Sequence, residues 1–395
     1  MKAIVVGAGF AGLAAADELH RAGVEVEVFE ARSRVGGRVH SAPFAGAVIE
    51  RGAEFILPHD RTVIATAERL GLPLVRKGTL YGNREPRLGN RIISTLAVTA
   101  AVEQLASRPH RGTVADALSA AALDGAVAQA IRARLEVSCA YGADDLDTSV
   151  LTKGAGAFGD FDSFTVAGGN DRIARELAAS LGDAVHISAP VTRVDWAGHE
   201  VRIEAGQSEA AADAAVIALP ASVLGAVSFD PPLPAEKTAV RYGQAAKLFV
   251  ALRAPAPPSQ VLSVEERYWC YTQLGADGEP LPVLGAFAGS ARALDALEVA
   301  AGAGRWLDSL ARLRPDLDLD LQTVLLSTWA EDPWVRGAYS ARSASSPLDA
   351  ESLRRPAGPL AFAGEHTAGG WHGLMEGALR SGVRAAGELL AVARR

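Results

Sequence analysis

Cysteine is almost missing from this sequence: Cys139 and Cys270 are the two among 395 residues. They are too few and too far apart for a disulfide framework or a cysteine-based metal site, and they suit a reducing compartment such as the cytoplasm. Blocks of basic charge are missing too. With 46 acidic against 39 basic residues the net charge is -7, and no Lys/Arg run dominates any segment. That argues against a nucleic-acid or anionic-membrane surface and turns attention to small molecules. Long apolar runs are also lacking. A stretch such as Ile92 to Val102 carries Ser and Thr and falls well short of the ~20 residues that cross a bilayer, so no membrane span is expected. Met1 and Lys2 lead straight into an apolar strand and a glycine turn, which is not the pattern of a secretory leader. No internal repeat or long low-complexity tract is present.

What remains has the composition of a globular protein, 49% hydrophobic and 22% charged. The length exceeds what one hydrophobic core usually serves, so two associated domains are expected. Residues 3 to 6 read as a buried strand, 12 to 22 as a helix and 24 to 29 as an alternating strand, which makes a βαβ opening and implies a parallel sheet. The stretch 63 to 135 is Ala/Leu-rich with helical spacing. The Gly/Asp-rich segment 154 to 163 closes this helical region. A helix over 173 to 181 and short strands within 185 to 204 and 214 to 219 return the chain to its first sheet. A second excursion follows, with strands in "KLFVAL", "VLGAFA" and "TVLLSTW" and a helix over 291 to 313. The last helix, 374 to 393, puts Met375, Ala378, Leu379, Val383, Ala386 and Leu390 on one face.

Two glycine-rich runs carry chemistry. "VVGAGFAG" supplies Gly7, Gly9 and Gly12 as G-x-G-x-x-G between a strand and a helix, with Glu30 at the end of the next strand. Gly7 permits the turn, Gly9 lets the backbone approach a pyrophosphate and Gly12 lets helix and strand pack. The helix N-terminus favours phosphate, and Glu30 can accept from ribose hydroxyls. The following "EARSRVGGRVHS" brings Ala31, Arg32, the pair Gly36 and Gly37, and Arg38, a guanidinium suited to a phosphate oxygen. Arg34 reads as a solvated surface charge.

Near the other end, "FAGEHTAGGWHGLMEGALRSG" gathers Glu365, His366, His372 and Glu376 among glycines. A metal site is disfavoured, because the histidines are six apart in a loop rather than four apart on a helix face. The glycines clear side chains away where an aromatic ligand would lie on the backbone, and a helix beginning at 374 would stabilise negative charge there. Lys247 stands in the apolar run "KLFVAL" and is either an exposed strand-end charge or buried with a purpose. Trp329 and Tyr339, by composition alone, are ordinary core aromatics.

Taken in order, these stretches with "ERGAEFI" (50 to 56), "FTVAGGNDRIARELA", "PVTRVDW", "GQAAKLFVAL" and "WAEDPWVRGAYS" resemble the flavin-containing amine oxidase family, which includes monoamine and polyamine oxidases. The resemblance spans the chain except for roughly 77 to 150 and 253 to 320. It implies an α/β fold of two domains: a Rossmann-like FAD domain from 1-75, 165-225 and 336-395, and a mixed α+β substrate domain from 76-164 and 226-335. It implies that Ala53, Glu54 and Phe55 form a turn against the flavin, that Val191 meets the adenine, and that Glu365, beside Gly364, bonds the ribityl chain. Met375, after Gly373 and Leu374, would offer its amide to the pyrimidine end of the ring.

By the same resemblance Lys247 holds a water against flavin N5, while Trp329 and Tyr339 wall the substrate cage. Ala338 stands where monoamine oxidases carry the tethering cysteine, so FAD is expected to be non-covalent. Leu374 stands where they carry a second cage tyrosine, so Trp371 or His372 would have to supply that wall. The expected reaction is oxidation of a small-molecule amine, with O2 or another acceptor taking the electrons. Alternatives are a C–C desaturase of the protoporphyrinogen or carotenoid type, an amino-acid oxidase using Arg84, Arg87 or Arg342 for the carboxylate, or a protein whose flavin is structural.

Overall fold

The computed structural model describes residues 1–151, 161–198 and 200–393. Most of the segment expected to close the helical region, 154 to 163, lies outside them. At the centre is a five-stranded sheet in the order Leu360–Phe362, Ala214–Ile217, Lys2–Val6, Glu25–Phe29 and Val185–His186, with every neighbouring pair parallel. Ile4, Val5 and Ala215 are fully buried, as strands covered on both faces require. The helix Phe10–Arg21 follows the first strand at once, completing the expected βαβ opening. Gly12 lies where it meets the sheet, and a Cβ there would stand 1.8 Å from the Gly7 carbonyl oxygen. Any side chain at 12 would therefore push helix and strand apart.

The last helix, Met375–Ala393, packs across Phe10–Arg21. Its buried stripe includes Met375, Leu379, Ala385, Ala386 and Leu389. Val383, expected on that face, is 43% exposed. The face turns aside because Gly382 is the contact: a Cβ there would lie 2.1 Å from the Ala11 carbonyl oxygen, so the helices meet backbone to backbone.

A second sheet of seven strands runs Leu319–Thr328, Ala245–Leu252, Val283–Gly289, Tyr268–Thr272, Ser259–Ser263, Glu85–Leu88 and Arg91–Ile92. All its pairings are antiparallel except Ser259–Ser263 with Glu85–Leu88. Here the helical reading of 63 to 135 fails in part. Helices occupy Arg61–Arg69, Thr95–Ala106, Val114–Ala120 and Gly125–Cys139, but Leu74–Leu80 and the two short strands after it lie between them. In Leu74–Leu80 the alternating residues Lys77 and Thr79 turn inward, a period-two pattern that the surrounding alanines and leucines obscured. The expected helix over 291 to 313 is also broken, into Ala291–Ala296, a 3-10 turn Val299–Ala301 and Gly304–Leu313. Glu298 and Gly302 take positive φ at the break, which no continuous helix tolerates.

Candidate active site

One cavity of about 1280 Å³ runs between the two sheets, larger than the 300–1,000 Å³ typical of a drug-sized ligand. All the site residues expected from the sequence line it except Gly12, which stands behind it in the packing role just described. At one end lie Gly7, Gly9, Glu30, Ala31, Arg32 and Val191; in the middle Gly36, Gly37, Arg38, Ala53, Gly364 and Met375; at the far end Lys247, Trp329, Tyr339, Trp371, His372, Gly373 and Leu374.

The first end suits a dinucleotide. Gly9 caps the helix Phe10–Arg21 with no side chain of its own, and a Cβ there would meet nothing within 4 Å. The amides of the first turn thus face open space with the helix's partial positive charge behind them. Glu30 accepts from the amides of Ala8 at 2.8 Å and Arg32 at 2.9 Å. Two of its roughly four lone-pair positions remain for a ribose. Arg32 is held by Asp332 at 2.8 Å. Arg34 corrects the sequence reading: it is half-buried and donates to the carbonyls of Val35 and Gly37, bracing the glycine turn.

In the middle, Glu365 is the hub. Its carboxylate accepts from Arg38 Nη1 at 2.9 Å, the Ser340 amide at 3.0 Å, Ser340 Oγ at 2.6 Å and the Gly373 amide at 2.6 Å. Burial alone would raise this carboxyl, but Arg38, His366 and these donors hold it down at about 2. Four protein donors fill its lone pairs, so a bond to a ribityl hydroxyl would have to displace one of them. Arg38 Nη1 also donates to the Ala338 carbonyl at 2.7 Å, which ties the glycine turn to the segment beside Tyr339. Burial pushes His366 down to about 4, so it is neutral at pH 7, beside the Tyr242 hydroxyl at 3.4 Å. Glu376 belongs elsewhere: it accepts from the Thr62 and Val63 amides and caps the start of Arg61–Arg69. Among the described residues no cluster of His, Cys, Asp and Glu has the form of a metal site.

At the far end Lys247 proves to be buried, its side chain 7% exposed. Its Nζ donates to Glu54 Oε2 at 2.6 Å and to the Glu50 carbonyl at 2.8 Å, while Lys77 reaches Glu54 Oε1 at 3.0 Å. Burial would raise Glu54, yet Lys247 and Lys77 hold it at about 2. Glu54 therefore turns its carboxylate to these lysines and to the Tyr271 hydroxyl. Trp329 Nε1 donates to the Arg51 carbonyl at 3.1 Å, and Tyr339 donates to the Ser138 carbonyl at 2.8 Å with its ring against Gly373. His372 Nε2 accepts from Arg342 Nε at 3.0 Å, leaving Nδ1–H for the Ser340 carbonyl at 3.2 Å. Trp371 stacks under Arg380, 4.8 Å from its ring, and Leu374 is 42% exposed.

Sequence reasoning missed Tyr81, Trp269 and Tyr271, which with Phe55 form an aromatic wall at this end, their centroids 4.5 to 5.9 Å apart. A signal existed in "YWCYT", where Trp269 and Tyr271 alternate on one face of a strand. Cys139 also lines the cavity, but burial pushes its thiol up to about 12, so it stays protonated. Of the three arginines considered for a carboxylate, Arg87 turns to Glu85 and the Leu313 carbonyl and Arg342 to His372, while Arg84 is buried in the aromatic wall.

Comparison with known proteins agrees. The sequence profile of the family described as flavin containing amine oxidoreductase matches residues 10–93 and 115–390. The chain belongs to that family, whose name implies a flavin and an amine substrate. It is 31% identical to AofH of Mycobacterium tuberculosis over 98% of this chain and 96% of that protein, whose own assignment as a flavin-containing monoamine oxidase is provisional. It is 27% identical to putrescine oxidase of Kocuria rosea, covering 98% and 94%. In fold it is similar to solved structures of putrescine oxidase, with TM-score 0.84, 24% identity and 99% of both chains covered. It is similar too to cyclohexylamine oxidase from Brevibacterium oxydans, with TM-score 0.85, 21% identity and 100% and 99% covered. The α/β architecture expected from the sequence is thereby shown, and amine oxidation is favoured over the C–C desaturase alternative.

Proposed function

We propose that the protein oxidises the C–N bond of a small-molecule amine, with FAD held non-covalently and O2 as the acceptor that leaves as H2O2. FAD held there would supply the acceptor for a hydride from the carbon beside nitrogen, the nitrogen losing a proton, and hydrolysis of the resulting imine would give a carbonyl compound and ammonia or, from a secondary amine, a smaller amine. The observation that carries this reading is one continuous cavity whose lining includes both the uncapped helix start at Gly9 and the wall at Tyr339. In it, residues 1-75, 165-225 and 336-395 would serve the cofactor, and 76-164 with 226-335 the substrate.

Glu30 would take the ribose, the Phe10–Arg21 helix start the phosphates and the Met375 amide the pyrimidine edge of the ring. Lys247 would act through a water at the reacting face. Trp329 and Tyr339 would orient the amine, with Trp371 and His372 closing the side that Leu374 leaves open. The buried walls keep bulk water out, which favours the neutral, reactive amine. Two unpaired cysteines support a cytoplasmic setting, and among the described residues no helix is long and apolar enough to cross a membrane.

An anaerobic panel of amines, scored by bleaching of the flavin absorbance, tests the reading; a flavin that no amine reduces would sink it. Denaturation should release the flavin intact, since Ala338 offers no thiol and the Cys139 thiol is held protonated. Flavin retained on the unfolded polypeptide would contradict the non-covalent assignment.

A further inference from the structure

Arg84 is a buried cavity residue whose charge the proposed chemistry leaves unused. It follows the turn at Leu80 to Asn83, is 4% exposed and lines the cavity. Its guanidinium carbon lies 3.7 Å from the Trp269 ring centre and 4.8 Å from that of Tyr81. Stacking of this kind uses the face of the guanidinium and leaves its N–H edge free. That edge is not satisfied: Nε and Nη1 have no hydrogen-bond partner. No described carboxylate pairs with Arg84. Glu54, the acid in this wall, already serves Lys77, Lys247 and Tyr271. Burial presses against the charge of Arg84, with the neighbouring Tyr81 the first group to offset it. A buried guanidinium with open N–H edges, reached from a cavity, fits a planar anion brought by a ligand.

The position also says which part of the ligand. From Lys247 the contacts run to Glu54 at 2.6 Å, through its bond to Tyr271, to Trp269 at 4.5 Å between ring centres and on to Arg84. Along this path the Glu54 carboxylate and the rings of Tyr271 and Trp269 lie between Lys247 and Arg84. Resting on the amine-oxidation reading, we propose that Arg84 is the anion receptor of the substrate pocket. The amine oxidised here then carries a carboxylate separated from its nitrogen by an apolar spacer. A diamine fits the same site poorly: its second ammonium would lie against the cationic Arg84. In this respect the chain would part from its relative named for putrescine.

The test uses the flavin-loaded protein and matched amines: butylamine, putrescine, 5-aminopentanoate and its α-amino isomer, and benzylamine beside 3-(aminomethyl)benzoate. Anaerobic flavin reduction gives a reduction rate over dissociation constant for each. The carboxylated member of at least one pair should exceed its uncharged counterpart by roughly 10- to 100-fold, the effect of a charge-assisted hydrogen bond. Arg84→Met should collapse that ratio toward one, mainly through the dissociation constant, and Arg84→Lys should restore part of it. A preference for putrescine, for the uncharged amines or for the α-amino isomer overturns the proposal, as does a ratio unchanged in Arg84→Met. If that variant fails to hold flavin, benzoate and benzamide are compared on the parent protein by the shift they cause in the flavin spectrum. Tighter binding of benzamide then overturns it. Failure of every amine, carboxylated or not, instead removes the amine-oxidation reading beneath.

Discussion

Two buried carboxylates line the cavity, and their surroundings differ. Glu365 has one cationic partner in hydrogen-bond contact, Arg38, and fills its remaining lone pairs with the amides of Ser340 and Gly373 and the Ser340 hydroxyl. Glu54 is shared by two ammonium groups and a phenol, with the unpaired guanidinium of Arg84 a few side chains beyond. The first cluster is complete without a ligand and serves to fix the backbone at 338–340 and 373. The second carries more positive charge than the described protein groups balance. Balanced buried charge holds a shape, whereas unbalanced buried charge marks where another molecule's charge belongs.

The sharpest way to break this contrast is Glu365→Gln. It sets an NH2 group among donors and leaves Arg38 without its counter-charge, so it should cost about 3–5 kcal/mol. The variant should also lose flavin as the 373 amide is released. Thermal unfolding and flavin content together check it; a melting temperature within a degree of the parent would mean that Glu365 is not the hub described.

Next in size is a pH effect from Glu50, 3% exposed and next to the Glu54 cluster, which burial raises to about 7 despite bonds from the Asn170 amide and Ser41 Oγ. Its folded value lies above the unfolded one near 4.5. The folded state therefore binds more proton between them, and its stability falls as pH rises from about 4.5 through 7. Glu50→Gln should abolish that decline, gaining on the parent by up to roughly 3 kcal/mol above pH 7. His366 has the opposite sign: lowered to about 4, it withdraws stability as pH falls from 6.5 toward 4. A parallel pH profile for Glu50→Gln and parent, from denaturant titrations, would show that Glu50 is already ionised in the fold.

The smallest change in stability is expected from Lys247→Met. Glu54 keeps Lys77, and the methionine refills most of the buried stem, so stability should move by no more than about 1 kcal/mol. Flavin reduction or reoxidation should nevertheless slow by roughly tenfold or more, because only steps that change charge at the cofactor feel the lost ammonium. Stopped-flow rates unchanged in both directions would leave Lys247 a structural partner of Glu54 alone.

How much of this was legible in the sequence follows the same division. The dinucleotide end is built by consecutive backbone, so a glycine spacing and one acid at a strand end announced it. The far end is built by side chains around 77, 84, 247 and 269, which come from the seven-stranded sheet, the turn before it and the separate strand Leu74–Leu80, and meet only in the folded molecule. Its pairing registers leave little trace in any one stretch. Lys247 remained ambiguous until Glu54, 193 positions away, was seen beside it. Arg84 was one of three equivalent arginines until burial separated it from Arg87 and Arg342. The strands between 74 and 92 were hidden for a local reason: two of them are short, and the helices on either side dominate the composition.

The backbone contact between Gly382 and Ala11 has a consequence for how the molecule is made. The amino-terminal unit leaves the ribosome first, yet its outer helix is covered only when Met375–Ala393 arrives, and the sheet edge beside Ala214–Ile217 waits for Leu360–Phe362. At a synthesis rate of about 5–20 residues per second, that apolar surface stays uncovered for on the order of tens of seconds. During this interval the growing chain is exposed to chaperones and proteases, and the nucleotide fold closes only as translation nears the last helix.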